Sequence, residues 1–350
     1  MKWVSLCHLG AEQAVCDELQ EASLMATSHQ GYVVFEADKK QAANFLYRTQ
    51  TTTRLLAYIC EGNYQDLDVS AAHDFIDEQE SFKVEVDVLA SGPQEETSME
   101  LAGKYGAQIS RDVDLDDPDK TVFVQAASTC VAGIDVAGDL SKRYYRIFSN
   151  SRSMKGTLVA SILRLSEVNG LLLDPFANTG EVCIEHALRQ TNTSPLKYRK
   201  FEQYALIDAS EWDESLVKES EYEIHCYDDH LANLRSCKKN AKLAGVQNSI
   251  VFSKTEPEWM DVKFDEDELS VIATIPPPVT KKSPSSDHLE ELCYQAEFVL
   301  KNKGRLVVAC LTPETALELA VHAKKYEMKR ISEYVVYSGQ LAVQVVEYGL

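Results

Sequence analysis

From Gly170 to the end of the chain, short apolar segments typical of strands alternate with longer segments typical of helices. This alternation indicates parallel strands joined by crossover helices. The predicted strands are Gly170–Asp174, Glu223–Tyr227, Ser249–Ser253, Leu269–Ala273 and Arg305–Leu311. The predicted helices are Val182–Arg189, Ala232–Ala244, His288–Leu300 and Glu314–Lys325, followed by a hairpin-like pair, Arg330–Tyr337 and Gln340–Glu347. We therefore predict a parallel, doubly wound α/β domain over residues 170–350, with ligands at the carboxyl ends of its strands.

Two smaller α+β modules precede this domain. Residues 1–64 have alternating strand and helix signals at Lys2–Cys7, Ala11–Glu21, Tyr32–Glu36, Gln41–Arg48 and Arg54–Cys60. Residues 65–140 follow with Phe82–Leu89, Ser98–Ile109, Thr121–Ala126 and Cys130–Val136, the last two predicted as paired strands. Residues 141–169 are predicted as a basic linker and a first helix.

The charge of the chain limits its partners. The 350 residues contain 35 Lys and Arg against 55 Asp and Glu, a net charge of −20. Such a charge argues against a basic surface over the whole chain, so a polyanion must meet a local positive patch. Residues 1–150 hold 12 basic and 25 acidic residues, and residues 151–350 hold 23 and 30. The acidic run between Asp112 and Asp119 lacks the glycine and distal glutamate of a calcium loop, so no metal site is predicted there.

One basic stretch interrupts this acidity. Between Lys142 and Arg164 there are six basic residues and no acidic one, and tyrosines lie among them. Cations interleaved with aromatic rings can hold phosphates and stack on bases, which favours RNA binding. The same pattern fits a linker whose cations pair with the acidic module before it. The sequence leaves both interpretations open.

The cellular setting follows from cysteines and hydropathy. Nine cysteines occur without any C-x-x-C pair, which favours reduced thiols in the cytoplasm and argues against structural zinc. No run approaches the roughly 18 apolar residues of a membrane span. We expect a soluble, cytoplasmic protein with no membrane partner and a monomeric state.

The residues from Leu171 to Glu181 combine a strand, a tight turn and a helix start. The sequence is Leu-Leu-Leu-Asp-Pro-Phe-Ala-Asn-Thr-Gly-Glu. Such a turn lets the backbone approach a ligand, and the helix start offers free N–H groups to an anion. At the end of the next predicted strand, the carboxylates of Asp228 and Asp229 are placed to accept ribose hydroxyls. Together these two features indicate a nucleoside-containing cofactor.

At this point a family resemblance becomes specific. Residues 174–180 resemble the D-P-[FM]-C-G-[ST]-G loop of S-adenosylmethionine-dependent RNA methyltransferases of the THUMP-domain class. Gly133–Arg146 resembles G-[IV]-D-x-x-G…[HK]-[KR]-R-G-Y-R of that class, and Met154–Thr157 resembles L-K-P-T. Residues 197–212 resemble an insertion of guanine-N2 methyltransferases that act on large-subunit ribosomal RNA. The similarities run in order along nearly the whole chain.

The resemblance implies a fold, a cofactor and a substrate. It implies a ferredoxin-like domain, a THUMP domain that binds structured RNA, and a Rossmann-like methyltransferase domain that transfers a methyl group from S-adenosylmethionine to guanine N2 in ribosomal or transfer RNA. By position, the implied cofactor residues are Thr157, Asp174, Phe176, Asn178, Gly180, Asp228, Asp229 and Glu256. The predicted RNA contacts are Lys142, Arg143, Arg146, Lys155, Lys197, Arg199 and Lys200.

The catalytic motif departs from the family pattern. Where the family has [ND]-P-P-[YF], this chain has Ile275, Pro276, Pro277 and Pro278. In the family the first residue accepts hydrogen bonds from the target amine and the last stacks on the flipped base. Ile275 has no side-chain acceptor and Pro278 has no π face. The prolines still predict a rigid turn whose backbone carbonyls could accept.

The cofactor loop departs at two positions. Asn178 replaces a glycine, but asparagine tolerates a positive φ better than most residues, so we expect the turn to be kept. Glu181 brings a negative charge to the place where the resemblance puts the cofactor carboxylate, so we expect reduced cofactor affinity.

Three functions are compatible with these residues. The first is an RNA guanine-N2 methyltransferase with a weakened catalytic motif. The second is a non-catalytic RNA-binding or scaffolding relative, which the departures at Ile275, Pro278, Asn178 and Glu181 favour. The third, a DNA or protein amino-methyltransferase, leaves the THUMP-like module unexplained.

Overall fold

The computed structural model describes residues 1–89, 91–93, 95–197, 206–207, 214–280 and 287–350, with only the backbone of 214 and 301–303. The described chain forms two compact units. The first contains Met1–Tyr47 and Thr52–Leu140, and the second contains Arg48–Thr51 together with residues 141–197 and the described residues from 214 onward. No helix in these described ranges is long and apolar enough to cross a membrane.

The first unit is built on one eight-stranded sheet. Its strands are β1 (Lys2–Leu6), β2 (Ala26–His29), β3 (Tyr32–Glu36), β4 (Arg54–Gly62), β5 (Ser81–Val88), β6 (Asp112–Val113), β7 (Lys120–Ala126) and β8 (Cys130–Asp135). Their order is β2-β3-β1-β4-β8-β7-β5-β6, and only the β5 pairings with β6 and β7 are parallel. The helices are α1 (Glu12–Glu21), α2 (Lys39–Arg48) and α3 (Ser98–Gly106). The predicted strand and helix segments are present, and the predicted pairing of β7 with β8 is confirmed as antiparallel.

Two strands of this unit were absent from the sequence prediction. Strand β2 carries the sequence Ala-Thr-Ser-His and β6 has only two residues, so neither shows an apolar alternation. Helix α3 ends at Gly106, three residues before the predicted end at Ile109. A capping box fixes its start, because Thr97 and Glu100 exchange side-chain and backbone hydrogen bonds.

The second unit is built on a seven-stranded sheet. Its strands are β9 (Leu172–Asp174), β10 (Ile224–Asp228), β11 (Ile250–Lys254), β12 (Leu269–Thr274), β13 (Leu300–Cys310), β14 (Lys329–Ser338) and β15 (Leu341–Gly349). Its helices are α4 (Gly156–Leu165), α5 (Glu181–Thr191), α6 (Leu231–Ala244), α7 (Met260–Lys263), α8 (Asp287–Val299) and α9 (Pro313–Lys325). The order β11-β10-β9-β12-β13-β15-β14 is parallel through β13 and antiparallel for the last two strands. The predicted doubly wound α/β fold is confirmed, with a mixed rather than purely parallel sheet.

The direction in which strands are added to the sheet reverses between β9 and β12. After β9 the strands are added on one side through α5 and α6, and after β12 they are added on the other side through α8. Because such crossovers are right-handed, α5 and α6 lie on one face of the sheet and α8 and α9 on the other. Residues at the ends of β9 and β12 therefore meet at the topological switch point, where ligands bind in open α/β sheets.

A buried ion pair connects three parts of the second unit. The side chains of Arg143 and Glu185 have no exposed surface, and Arg143 Nε donates to Glu185 Oε1 over 2.8 Å. Tyr145 Oη donates to the same carboxylate over 2.6 Å, and the amide of Gln50 donates to Glu185 Oε2 over 2.8 Å. Gly156 leaves room for this cluster, since a Cβ there would lie 2.3 Å from Glu185 Oε1.

This cluster predicts a stability pattern. Glu185→Gln leaves the guanidinium buried without its counter-charge, so the free energy of unfolding should fall by about 3–5 kcal/mol. Arg330→Gln removes an exposed pair with Glu333 and should cost less than about 1 kcal/mol. Urea unfolding measures both. The double variant Arg143→Met/Glu185→Leu should be more stable than Glu185→Gln, and equal small losses for all three variants would contradict a stabilising role of the pair.

Candidate functional site

The site lies at the switch point, where a hydrogen bond joins the two central strands. Thr274 Oγ1, at the end of β12, donates to Asp174 Oδ1, at the end of β9, over 2.6 Å. The backbone N–H of Phe176 donates to the same carboxylate oxygen over 3.2 Å. Asp174 is 1% exposed, and this burial raises its pKa to about 7 despite the two hydrogen bonds.

The turn after β9 adopts left-handed backbone at two positions. Asn178 has φ +51° and Gly180 has φ +92°. The expectation that asparagine would keep the turn at position 178 is confirmed. The backbone N–H of Asn178 donates to Asp228 Oδ2 over 2.9 Å. The loop after β9 is thereby hydrogen-bonded to the carboxylate at the end of β10, so the two predicted cofactor elements are adjacent.

Asp228 is the buried carboxylate of this pair. It is 4% exposed, and its Oδ1 accepts from the backbone N–H of His230 and from Asn233 Nδ2, both over 2.9 Å. Asp229 is exposed and its carboxylate contacts the His230 imidazole instead. Glu256 is exposed and follows the end of β11 by two residues. The three acidic residues thus lie at or just after the carboxyl ends of β10 and β11, and of these three only Asp228 contacts the loop.

Glu181 begins α5 and is buried beside a cation. Its Oε1 accepts from Thr179 Oγ1 over 2.6 Å and lies 3.5 Å from Arg146 Nε. Burial raises the pKa of this carboxyl, while the hydrogen bond and the Arg146 charge act in the opposite direction. The negative charge predicted at the helix start is therefore offset by Arg146. Thr157, predicted to touch the cofactor, is fully buried near the start of α4.

Three residues that the sequence reasoning did not single out as site residues hold the loop from outside. The side-chain amides of Asn150 and Asn178 pair, with Asn150 Nδ2 donating to Asn178 Oδ1 over 2.6 Å. Ser153 and Thr179 share a hydroxyl hydrogen bond of 2.5 Å. Cys237 Sγ donates to the Asn178 carbonyl over 3.2 Å. The spacing of these residues gives no periodic signal, so only the folded structure identifies them.

The turn after β12 is apolar. Ile275 lines a small pocket together with Val159, Ile162, Leu163, Val182, Ala273, Thr274, Val307 and Ala309. Pro276 is buried, and Pro277 and Pro278 are half-buried. The Pro277 carbonyl lies 3.1 Å from His288 Nε2, and that imidazole packs edge-on against the Phe176 ring. The structure thus places the four predicted catalytic residues at the switch point, but their side chains offer no polar group.

The predicted RNA contacts occupy different environments. Lys142 and Lys155 are exposed, and Arg146 is partly exposed beside Glu181. Arg143 is buried in the ion pair with Glu185, which does not fit the predicted RNA contact, because a guanidinium with no exposed surface cannot reach a phosphate. Lys197 is half-buried, and Arg199 and Lys200 lie outside the described residues.

Comparison with known proteins identifies the family. Residues 143–344 match UPF0020, described as an RMKL-like methyltransferase domain. The chain belongs to this family. The resemblance to a methyltransferase family, inferred from the loop, the strand-end carboxylate and the order of motifs, is thereby confirmed, whereas the THUMP module stays a prediction. The methyl donor predicted from the sequence, S-adenosylmethionine, is confirmed as the cofactor at the level of the family.

Individual relatives cover most or all of the chain. A protein of Methanocaldococcus jannaschii named tRNA (guanine(6)-N2)-methyltransferase is 26% identical over 354 residues, which is 91% of each chain. The ribosomal RNA large subunit methyltransferase K/L of Syntrophotalea carbinolica is 22% identical over the whole of this chain, which spans 54% of that protein. The crystal structure of SMU.472, a putative methyltransferase complexed with SAH, shares the fold with a TM-score of 0.79 and 17% identity, covering 100% of this chain and 98% of that one.

The loop after β9 and the end of β10 fit the cofactor of the family. Two left-handed residues give the turn the backbone path of a glycine-rich loop. A buried carboxylate stands at the end of the neighbouring strand, hydrogen-bonded to that loop. Carboxylate oxygens have about four lone-pair sites, and three N–H groups occupy Asp228, which leaves capacity for a hydroxyl.

The raised pKa of Asp174 predicts a pH dependence. A carboxyl whose pKa is higher in the folded chain binds its proton more tightly there, so its contribution to stability is present below pH 4 and is lost as the pH rises through about 7. Asp174→Asn removes this loss. The free energy of unfolding of the variant, minus that of the native chain, should increase by roughly a few kcal/mol between pH 5 and pH 8. Denaturant unfolding at both pH values measures it, and parallel profiles would contradict an elevated pKa.

Proposed function

We propose that the chain transfers a methyl group from S-adenosylmethionine to the N2 atom of a guanosine in structured RNA, with a weakened amine-binding turn. The observation that supports this most directly is the hydrogen bond between the Asn178 backbone and Asp228, which joins a left-handed loop to a ribose-type carboxylate in a chain of a methyltransferase family. The RNA substrate is inferred from the relative that covers 91% of the chain and is named for guanine-N2 in tRNA.

Each part of the cofactor site has a proposed task. Asp228 would accept the ribose hydroxyls, and residues 174–180 with Thr157 would surround the methionine and ribose portions. Bound S-adenosylmethionine supplies an electrophilic methyl group. Glu256 would lie near the adenine amine. Arg146 faces the buried Glu181 carboxylate, so its charge is used within the protein and does not face the cofactor carboxylate. We therefore expect a lower affinity for the cofactor than a loop without Glu181 would give.

Both units are proposed to contact the RNA. Residues 65–140 of the first unit would form the THUMP-like module. Lys142, Arg146, Lys155 and Lys197 of the second unit, with Arg199 and Lys200, would contact phosphates. Arg143 is left out of this proposal because of its burial. Either tRNA or ribosomal RNA fits these contacts, since phosphate binding carries no sequence information.

A second candidate rests on the apolar turn. Ile275, Pro276, Pro277 and Pro278 present no side-chain acceptor to a guanine amine, and Ile275 faces an apolar pocket. Loss of one preorganised polar group at a transition state costs about 3–4 kcal/mol. A chain with such a turn could retain cofactor and RNA binding without catalysis, as a non-catalytic RNA-binding or scaffolding relative.

Cofactor binding is the first test. Titration calorimetry should show binding of S-adenosylhomocysteine, and Asp228→Asn should weaken it about 10- to 100-fold, because a buried hydrogen bond to a charged acceptor is lost. Asp265→Asn is the matched control, since Asp265 is exposed and precedes β12, at the end of that strand away from the site. Absence of heat at millimolar ligand would exclude the enzyme.

Restoring the turn tests catalysis. Ile275→Asn/Pro278→Tyr should raise methyl transfer to guanine N2 in tRNA or 23S ribosomal RNA by at least about tenfold, because it returns an amide acceptor and a stacking ring to the turn. A radiolabelled methyl assay measures the rate, and adding Asp228→Asn to the double variant should remove the gain. If the native chain and the double variant both bind cofactor and RNA but transfer no methyl group, the non-catalytic function is favoured.

A further inference from the structure

Helix α6 is basic within an acidic chain. Its sequence, Leu-Ala-Asn-Leu-Arg-Ser-Cys-Lys-Lys-Asn-Ala-Lys-Leu-Ala, holds four basic residues and no acidic one, in a protein of net charge −20. Arg235, Lys238, Lys239 and Lys242 are all exposed. Their spacing of three, four and seven residues puts them on one side of the helix, along about 10 Å of its length. We call these four residues the outer face of α6.

Within the described residues, no carboxylate forms an ion pair with a cation of this face. Among the residues that the structure describes, other basic side chains pair with acids, as Lys120 does with Glu80 and Lys325 with Glu290. Within the same described ranges, no ion pair involves a cation of the outer face. A row of exposed positive charges without counter-charges creates a local positive potential, which is what an acidic protein needs to meet a polyanion.

Aromatic rings lie beside two of these cations. Lys239 Nζ lies 4.4 Å from the centre of the Phe148 ring, and Lys238 Nζ lies 5.7 Å from the centre of the Phe252 ring. Phe148 is 36% exposed and its neighbour Ile147 is 65% exposed. Exposed rings among cations can stack on unpaired bases, whereas an acidic protein surface would need only the charges. This combination favours RNA over a protein partner.

The inner side of the same helix holds the cofactor loop. Cys237 Sγ donates to the Asn178 carbonyl, and Asn240 Nδ2 donates to the carbonyls of Thr179 and Phe148, each over 3.0 Å. The Phe148 N–H in turn donates to Asn240 Oδ1 over 3.1 Å. One helix therefore presents cations to solvent on one side and fixes the loop after β9 on the other. A polyanion on the outer face would lie next to the cofactor site.

We propose that the outer face of α6, with Phe148 beside it, binds the phosphate backbone of the RNA that the methyltransferase unit acts on. The proposal rests on the proposed function for the nature of the substrate. It adds a binding surface that the basic stretch at 142–164 did not predict.

The test compares two variants of equal charge change. Lys238→Glu/Lys242→Glu reverses two cations of the outer face, and Lys324→Glu/Lys329→Glu reverses two exposed lysines near β14, the strand at the opposite edge of the sheet. Binding of the full chain to unfractionated tRNA and to 23S ribosomal RNA is measured by filter retention between 50 and 300 mM salt. The α6 variant should lose about tenfold or more in affinity, with its salt slope reduced by about two, and the control should stay within about threefold.

Two further measurements separate this proposal from the proposed function. The affinity for S-adenosylhomocysteine should be the same in both variants and the native chain, which shows that the loop is intact. Equal losses of RNA affinity in both variants, or none in either, overturn the proposal while leaving the proposed function standing. If the native chain binds neither tRNA nor 23S ribosomal RNA, both this proposal and the proposed function are overturned.

Discussion

Everything in the candidate site depends on one backbone conformation, the left-handed turn at Asn178. An L-residue other than glycine is strained in this region by roughly 1–2 kcal/mol, so the surroundings must hold it there. They do so from every side: Asp228 accepts from its N–H, Cys237 donates to its carbonyl, and Asn150 pairs with its side-chain amide. These three partners come from the end of β10, from α6 and from the segment before α4. Hydrogen bonds from three separate elements of the second unit therefore fix the conformation of the turn.

The intact and altered parts of the site differ in the kind of chemistry they supply. Asn178 and Gly180 have the left-handed backbone of a glycine-rich loop. Ile275 and Pro278 have neither the side-chain acceptor nor the π face of the family motif that they resemble. The Asp174 carboxyl, at the end of β9, accepts hydrogen bonds from Thr274 Oγ1 and the Phe176 N–H at its Oδ1. In the proposed function, cofactor binding and amine activation therefore depend on different parts of the site.

Much of this architecture could be predicted from the amino-acid sequence, because periodicity and turn chemistry are local. The strand–helix alternation from β9 to β15, the tolerance of Asn178 for positive φ and the position of Asp228 are readable from neighbouring residues. Strands β2 and β6 were not predictable, since they are too short or too polar to alternate. The role of Arg143 depended on Glu185, 42 residues away, and a basic residue in a basic stretch gives no sign that it will be buried. The loop contacts of Asn150, Ser153 and Cys237 have the same origin in tertiary structure. The helical spacing of the four cations on α6 is visible in the sequence. Only the folded structure shows that these cations are exposed and that Phe148 and Phe252 lie beside two of them.

Two helices on opposite faces of the second sheet have opposite charges. Helix α6 holds Arg235, Lys238, Lys239 and Lys242 with no acid, while α8 on the other face holds Asp287, Glu290, Glu291 and Glu297 with no Lys or Arg. Charges separated in this way across a sheet form an electric dipole. The field of an RNA exerts a torque on such a dipole, which turns the α6 face toward the phosphates and the α8 face away before any contact is made. An acidic methyltransferase unit can in this way be repelled in most orientations and still be guided to the productive one, at a rate that salt should reduce.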